Sequence, residues 1–261
     1  MRAAVVGVSL VACGRLAFES HSDGRAAGDV AGDVITGDSG SGSSAGFCAS
    51  LSPAPKFCDD FDEGQAVGSG WTSIQTQLGG SNDLATDVAK SPTTSLRHWG
   101  SAQAGSGVTY GCLNLNLPGT IHHIVYNYEL YLDSRPATTG PLEIGSVNFS
   151  VPMMSFYTDL MVWPSGSDTY RQEYAQQGSA FQSHDVPFAP ITAGTWHHVQ
   201  MIIDLDTATH TFSIDGMTLS SGATQYPVVP ATTVVQDGMN YTNDPVPAWS
   251  LHTDNVTIDY Q

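Results

Sequence analysis

Positive charge is what this 261-residue chain has least of: Lys and Arg total 8 against 25 Asp and Glu, a formal net charge of −17. Beyond His98 the only fixed cations are Arg135 and Arg171. A nucleic-acid binder must neutralise phosphates with Lys and Arg, so nucleic acid is excluded as a partner. The same shortage speaks against anionic polysaccharides. What remains is a neutral ligand, a cation, a basic partner or no ligand at all. Long helical periodicity is also missing, and no apolar run is long enough to span a bilayer. No Cys/His spacing reads as a zinc site.

What is there begins with Met1-Arg2 and the apolar run Ala3 to Ala12, a basic n-region followed by an h-region. Leu10-Val11-Ala12-Cys13 has the form of a bacterial lipobox. Residues 1–12 are therefore expected to be a lipoprotein signal peptide, with Cys13 lipidated at the mature N-terminus and the membrane reached through that anchor only. The expected location is the bacterial cell envelope, facing the periplasm or the exterior. Residues 13–46 have no periodic apolar face and become Gly/Ser/Asp-rich, which predicts a disordered tether. Residues 47–261 form the remaining domain. Its three cysteines are Cys48, Cys58 and Cys112. In an oxidising compartment Cys48–Cys58 is the first pairing expected, Cys58–Cys112 the alternative, with one thiol left over either way.

From Phe57 onward, short β-branched and aromatic runs alternate with Gly, Pro, Ser and Asn turns. Ile121 to Leu132 is the clearest: Tyr126, Tyr128, Leu130 and Leu132 fall on one face, Asn127, Glu129 and Tyr131 on the other. Further strands are predicted at 57–61, 71–76, 94–99, 108–115, 145–149, 156–163 and 169–174. Thr195 to Asp204 and His210 to Gly216 read as two long strands, with Asp215-Gly216 a strong hairpin signal. Many short strands without helices predict an all-β domain, a two-sheet antiparallel jelly-roll β-sandwich.

The run Trp196-His197-His198-Val199-Gln200-Met201-Ile202-Ile203, a short turn, then Phe212-Ser213-Ile214-Asp215-Gly216 also resembles the laminin-G-like members of the concanavalin A-like lectin/glucanase superfamily. Phe57-Cys58-Asp59-Asp60-Phe61-Asp62 and Asp254-Asn255-Val256-Thr257-Ile258-Asp259 match the opening and closing strands that such domains pair together. The resemblance implies a jelly roll, and a structural calcium at the edge where those ends meet. Asp60, Asp62 and Asp254 are the oxygen ligands expected there.

No residue pattern announces a chemistry. Glucanases of this superfamily carry Glu-x-Asp-x-x-Glu on one strand, which is absent. Glu129 and Asp133 share a face but lie about 13 Å apart along a strand, too far for a retaining carboxylate pair. Tyr170-Arg171-Gln172-Glu173-Tyr174 is faintly similar to the Arg-bearing strand of jelly-roll polysaccharide lyases, yet no matching Gln-x-His is present. Paired histidines, His122-His123 and His197-His198, point to opposite faces of a strand and suit structural roles better than one metal. Sugars are gripped by aromatic faces and planar polar groups, and Tyr170, Gln172 and Tyr174 alternate onto one face. Trp163, Tyr170, Arg171, Gln172 and Tyr174 are thus the expected ligand-binding group. The function expected is non-catalytic binding of a neutral carbohydrate or a cell-surface protein by a monomer. A divergent polysaccharide-degrading enzyme and a purely adhesive protein are the alternatives.

Overall fold

The computed structural model describes residues 46–102, 109–135, 140–164, 166–176, 180–225, 230–242 and 248–261. The signal peptide, Cys13 and all but the last residue of the tether lie outside the described residues. Among the described residues, one helical turn, α1 (Phe47–Ser50), precedes fifteen strands. The first eight are β1 (Phe57–Asp59), β2 (Ser73–Gln77), β3 (Gly80–Ala85), β4 (Ser95–Gly100), β5 (Tyr110–Leu117), β6 (His123–Leu132), β7 (Leu142–Val151) and β8 (Met154–Val162). The rest are β9 (Asp168–Gln176), β10 (Gln182–Phe188), β11 (Trp196–Asp204), β12 (Thr209–Ile214), β13 (Met217–Ala223), β14 (Thr232–Tyr241) and β15 (Trp249–Tyr260).

They form two antiparallel sheets. The eight-stranded sheet runs β13-β12-β11-β6-β15-β4-β3, with β1 added on β15, and the seven-stranded sheet runs β10-β9-β8-β7-β14-β5-β2. The strand order jumps repeatedly between distant parts of the chain, as a jelly roll requires. The opening and closing strands do pair: Phe57 lies opposite Ile258 and Asp59 opposite Val256.

Alternation decides which side faces the partner sheet. On β6, Ile124, Tyr126, Tyr128, Leu130 and Leu132 are buried while the residues between them are half-buried. Val199, Met201 and Ile203 of β11 and Phe212 of β12 continue that layer in the eight-stranded sheet. Leu142, Ile144, Val147 and Phe149 of β7, with Leu160 and Val235, meet them from the other side. Burying such side chains stabilises the fold by roughly 1.5–3 kcal/mol each before the entropy of ordering the chain is subtracted.

Asp215 and Gly216 turn the chain from β12 into β13, both at positive φ, 52° and 75°. Asp204 closes the preceding turn by accepting the Thr207 amide at 2.8 Å. Cys48 and Cys58 are bridged. Cys112 is disulfide-bonded as well, which corrects the expectation of a leftover thiol.

Candidate functional site

The five residues expected to bind ligand divide between the two sides of the seven-stranded sheet. Tyr170, Gln172 and Tyr174 share a face, as their spacing predicts, but it is the inner one. Tyr170 stacks on Phe212 at 4.7 Å and on His210 at 5.2 Å, inside the sandwich. Gln172 is buried against His210 and accepts the Gln225 amide at 2.8 Å. Tyr174 packs on Phe156 at 5.0 Å. Tyr170 and Gln172 are buried in the interior, and their assignment to a ligand is corrected on that ground, while Tyr174 is half-buried at the margin of the same core.

Arg171 and Trp163 belong to the outer side. Trp163 donates its Nε1 to Thr169, which shares the outer face of β9 with Arg171. Arg171 grips Asp185 of β10 through Nε and Nη2, at 2.7 and 3.0 Å. Its Nη1 stands 3.8 Å from both Glu143 of β7 and Glu173 of its own strand. Burial opposes the guanidinium charge, but the Asp185 hydrogen bond and the charges of Asp185, Glu143 and Glu173 outweigh it, and its pKa lies above the ordinary value. Arg135, the other cation of this half, clamps Asp168 and the carbonyls of Trp163 and Ile191. That role is structural.

Register carries the pattern across the whole sheet. Asp185 of β10 faces Arg171 of β9, which faces Asp159 of β8, which faces Ser146 of β7. Ser146 faces Gln236 of β14, Gln236 faces Asn114 of β5, and Asn114 faces Ser73 of β2. One polar side chain stands on each of seven strands in a single row. Gln236 links its neighbours, accepting from Ser146 Oγ at 2.9 Å and donating to Asn114 Oδ1 at 2.7 Å. Asn114 passes the chain on to Ser73 at 3.3 Å. Glu173, Tyr157 and Asn148 flank the row on β9, β8 and β7. Asp159, Ser146, Gln236 and Asn114 are all buried.

The acidic edge is divided too. Asp62 Oδ1 accepts the amides of Thr93 and Thr94, and its Oδ2 the Ser91 hydroxyl. Asp254 accepts the amides of Lys90, Ser91 and Asn255. Burial pushes Asp254 up to about 7, against the pull of those amides and with the help of the Asp62 charge. Both carboxylates therefore anchor the segment before β4. Asp60 differs: Oδ2 accepts the Cys48 amide at 2.8 Å, while its buried Oδ1 has no partner. The β1–β15 pairing ends at Asp59 and Val256, and Asn255, next along β15, also has a buried Oδ1 without a partner. A Glu63 oxygen lies within 4.8 Å of one on Asp60. Burial, then the Asp60 charge, raises the Glu63 carboxyl above its usual range.

Of the histidines in pairs, His197 bonds Asp215 and the Thr192 carbonyl, His198 bonds Glu129, and His122 bonds Asp206.

No protein family profile matches the chain, and no curated protein matches it by sequence. Solved structures do match. A mixed-linkage-glucan glycoside hydrolase family 16 protein from Bacteroides ovatus, in complex with a product, aligns with a TM-score of 0.57 at 11% identity over 77% of this chain and 99% of its own. Cip1, described as a cellulose-induced protein, gives 0.55 at 13% identity, covering 78% of this chain and 96% of its own. An alginate lyase of family PL-14 from Aplysia kurodai gives 0.56 at 10% identity, over 74% and 92%. At such identities the likeness is one of fold. The chain has the two-sheet jelly-roll fold of those structures.

Asp159, Glu143, Tyr157, Ser146, Asn148, Gln236 and Asn114 did not stand out in the sequence. The readable trace was the alternation of Ser146, Asn148 and Ser150 with Val147 and Phe149, which marks a strand with a polar face. Gln236 left no trace, because its strand contains an Asp-Gly pair that reads as a turn.

Proposed function

We propose that the protein is a non-catalytic carbohydrate-binding protein that takes a neutral glycan along the polar row of the seven-stranded sheet. The observation that carries this reading is the row itself, a line of carboxylate, guanidinium, hydroxyl and amide groups crossing seven strands in register, buried at its middle and open at Asp185. Such groups bond sugar hydroxyls, which both donate and accept. Tyr157 and Trp163 supply aromatic surface beside it. The fold supports the same ligand class, since the solved structures it matches include a glucan hydrolase and an alginate lyase.

Electrostatics argues against catalysis. A carboxylate pair that cleaves glycosidic bonds keeps one member protonated. Here Glu143 and Glu173 stand equally close to the Arg171 guanidinium, at 3.8 Å, and nothing sets one of them apart as a proton donor. Asp185 fills the fork of Arg171, so the guanidinium is already neutralised and does not suit an anionic uronate.

We further propose a calcium ion at the β1–β15 edge, held by Asp60, Glu63 and Asn255. The unpaired buried oxygen of Asp60 and the Glu63 oxygen within 4.8 Å of it support it, because a buried acceptor without a donor is what a hard cation relieves. Asp62 and Asp254 hold the neighbouring backbone around that site.

The test is titration of neutral polysaccharides into the protein, in calcium and in chelator, with product analysis. Arg171→Gln is expected to weaken binding about tenfold, or 1.4 kcal/mol, and chelation to lower the melting temperature. Release of shortened or unsaturated sugars would sink the non-catalytic reading. Failure to bind any glycan would sink carbohydrate recognition.

Anchorage to a bacterial envelope through Cys13 is proposed on the lipobox alone, and it competes with the bridged state of Cys112, because Cys13 is the only other cysteine of the chain outside the Cys48–Cys58 bond. Cys13→Ser should then move the protein from the detergent phase to the aqueous phase, and no movement refutes the anchor.

A further inference from the structure

A second concave site lies where β4 ends and β15 begins, with Arg97 and Trp99 on the outer face of the eight-stranded sheet. A cavity of about 590 Å³ is lined there by Arg97, Trp99, Gly100, Asp133, Trp249 and Ser250. That size falls within the usual span of small-ligand pockets, roughly 300–1,000 Å³.

Trp99 forms a fixed plate in it. Its Nε1 donates to Asp83 at 3.0 Å, and the same carboxylate takes Nε and Nη2 of Arg97 at 2.8 Å each. The Arg97 hydrogen bond holds the Asp83 carboxyl below its ordinary value. Indole and guanidinium are thus locked side by side before any ligand arrives, and a plate held this way loses little side-chain entropy on binding.

Ser250, paired with Trp99 and on its side of the sheet, brings a buried hydroxyl with no acceptor to the wall, and Trp249 closes the cavity from the core side with a second such donor, Nε1. Trp249 is only 5% exposed. Its Nε1 lies 2.2 Å from where a Cβ on residue 100 would stand, so only glycine at that position admits the indole edge. Leaving such donors buried and unmatched is costly unless a ligand supplies the acceptor. At the rim stands Asp133, an acceptor with a side chain 38% exposed.

An apolar plate ringed by both donors and acceptors matches a sugar ring, whose C–H face stacks while its hydroxyls bond in either sense. Asp133 and Asp83 disfavour an acidic sugar. The row continues in register across the sheet: Asp83, Arg97, His252, Tyr131 and Trp196 stand on β3, β4, β15, β6 and β11. Tyr131 lies 5.4 Å from the Trp196 ring and 5.9 Å from the His252 ring. We propose that this cavity is a second carbohydrate site, which seats a neutral pyranose on Trp99 and extends along Tyr131 and Trp196 to further units of a β-linked chain. It does not depend on the function proposed for the polar row.

The experiment titrates cellohexaose and laminarihexaose into the full chain labelled with ¹⁵N at tryptophan, following the indole N–H signals of Trp99 and Trp249. The Trp249 signal should move on saturation with at least one probe. Trp99→Ala should weaken that response about tenfold, and the exposed Asp133→Ala should weaken it too with the fold intact. Arg171→Gln should leave it unchanged, which separates this site from the polar row. Immobile Trp99 and Trp249 signals with both sugars at millimolar concentration would overturn the proposal. So would an Asp133→Ala protein that binds as the wild type does, or a response abolished by Arg171→Gln.

Discussion

Asp237 is buried completely in the sandwich interior, where apolar side chains are the rule. Tyr126 donates to its Oδ1 at 3.0 Å, Thr253 to its Oδ2 at 2.7 Å, and His98 Nε2 stands 3.4 Å away. These partners come from β6, β15 and β4, so one carboxylate on the seven-stranded sheet ties down three strands of the other. Gly238 makes the arrangement possible. Its φ is 102°, and a Cβ there would sit 2.3 Å from His98 Nδ1. His210 is a second buried polar group, stacked on Tyr170 and bonded to Ser220 at 2.8 Å. Burial holds its pKa below the ordinary histidine value. The fold therefore favours the neutral ring, and the stability this gives is present above the unfolded value, about 6.5, and lost as pH falls through the folded one. The melting temperature of wild type should drop toward that of His210→Gln between pH 7 and pH 5. An unchanging gap between the two curves would refute the linkage.

At the scale of elements, legibility followed burial of one face. β6 was readable because one side is core and the other half-exposed, so its alternation shows in the residue types. β11, β12 and the pairing of β1 with β15 were readable for the same reason or from the resemblance. β9 gave the right period and the wrong side. Both of its faces are buried in the middle, with Tyr170 and Gln172 inward and Glu173 outward, so polarity does not mark the core. β14 was missed because Asp237-Gly238 reads as a hairpin turn until the three partners of Asp237 are known. β10, with Pro187 and mostly exposed residues, is an edge strand of the kind sequence patterns pass over. The Cys48–Cys58 bridge was expected and closes a loop with a sequence separation of 10. Constraint of so short a loop is worth about 2–3 kcal/mol, so replacing both cysteines by serine should lower the melting temperature by roughly 5–10 °C. A smaller loss than about 1 °C would mean that β1 is held by its pairing alone.

For the whole molecule, the sandwich places a polar row on one outer face and an aromatic row on the other. The two are separated by the thickness of both sheets, so one extended chain cannot lie on both at once. The jelly roll could be read from turn spacing and from the residues of its first and last strands. The two rows could not, because each is assembled from strands distant in sequence and exists only once register is fixed.

The pairing of the first strand with the last also governs how the domain carries mechanical load. A pull on the residues ahead of Phe47 passes through the Cys48–Cys58 bond into the middle of β1 and bypasses the stretch between them. From Cys58 it reaches Thr257 on β15, a strand paired with β6 along its other side. Tension thus enters at the centre of the larger sheet, where a strand cannot be peeled from an edge one hydrogen bond at a time. Load entering there is shared along two neighbouring strands and not borne by one edge.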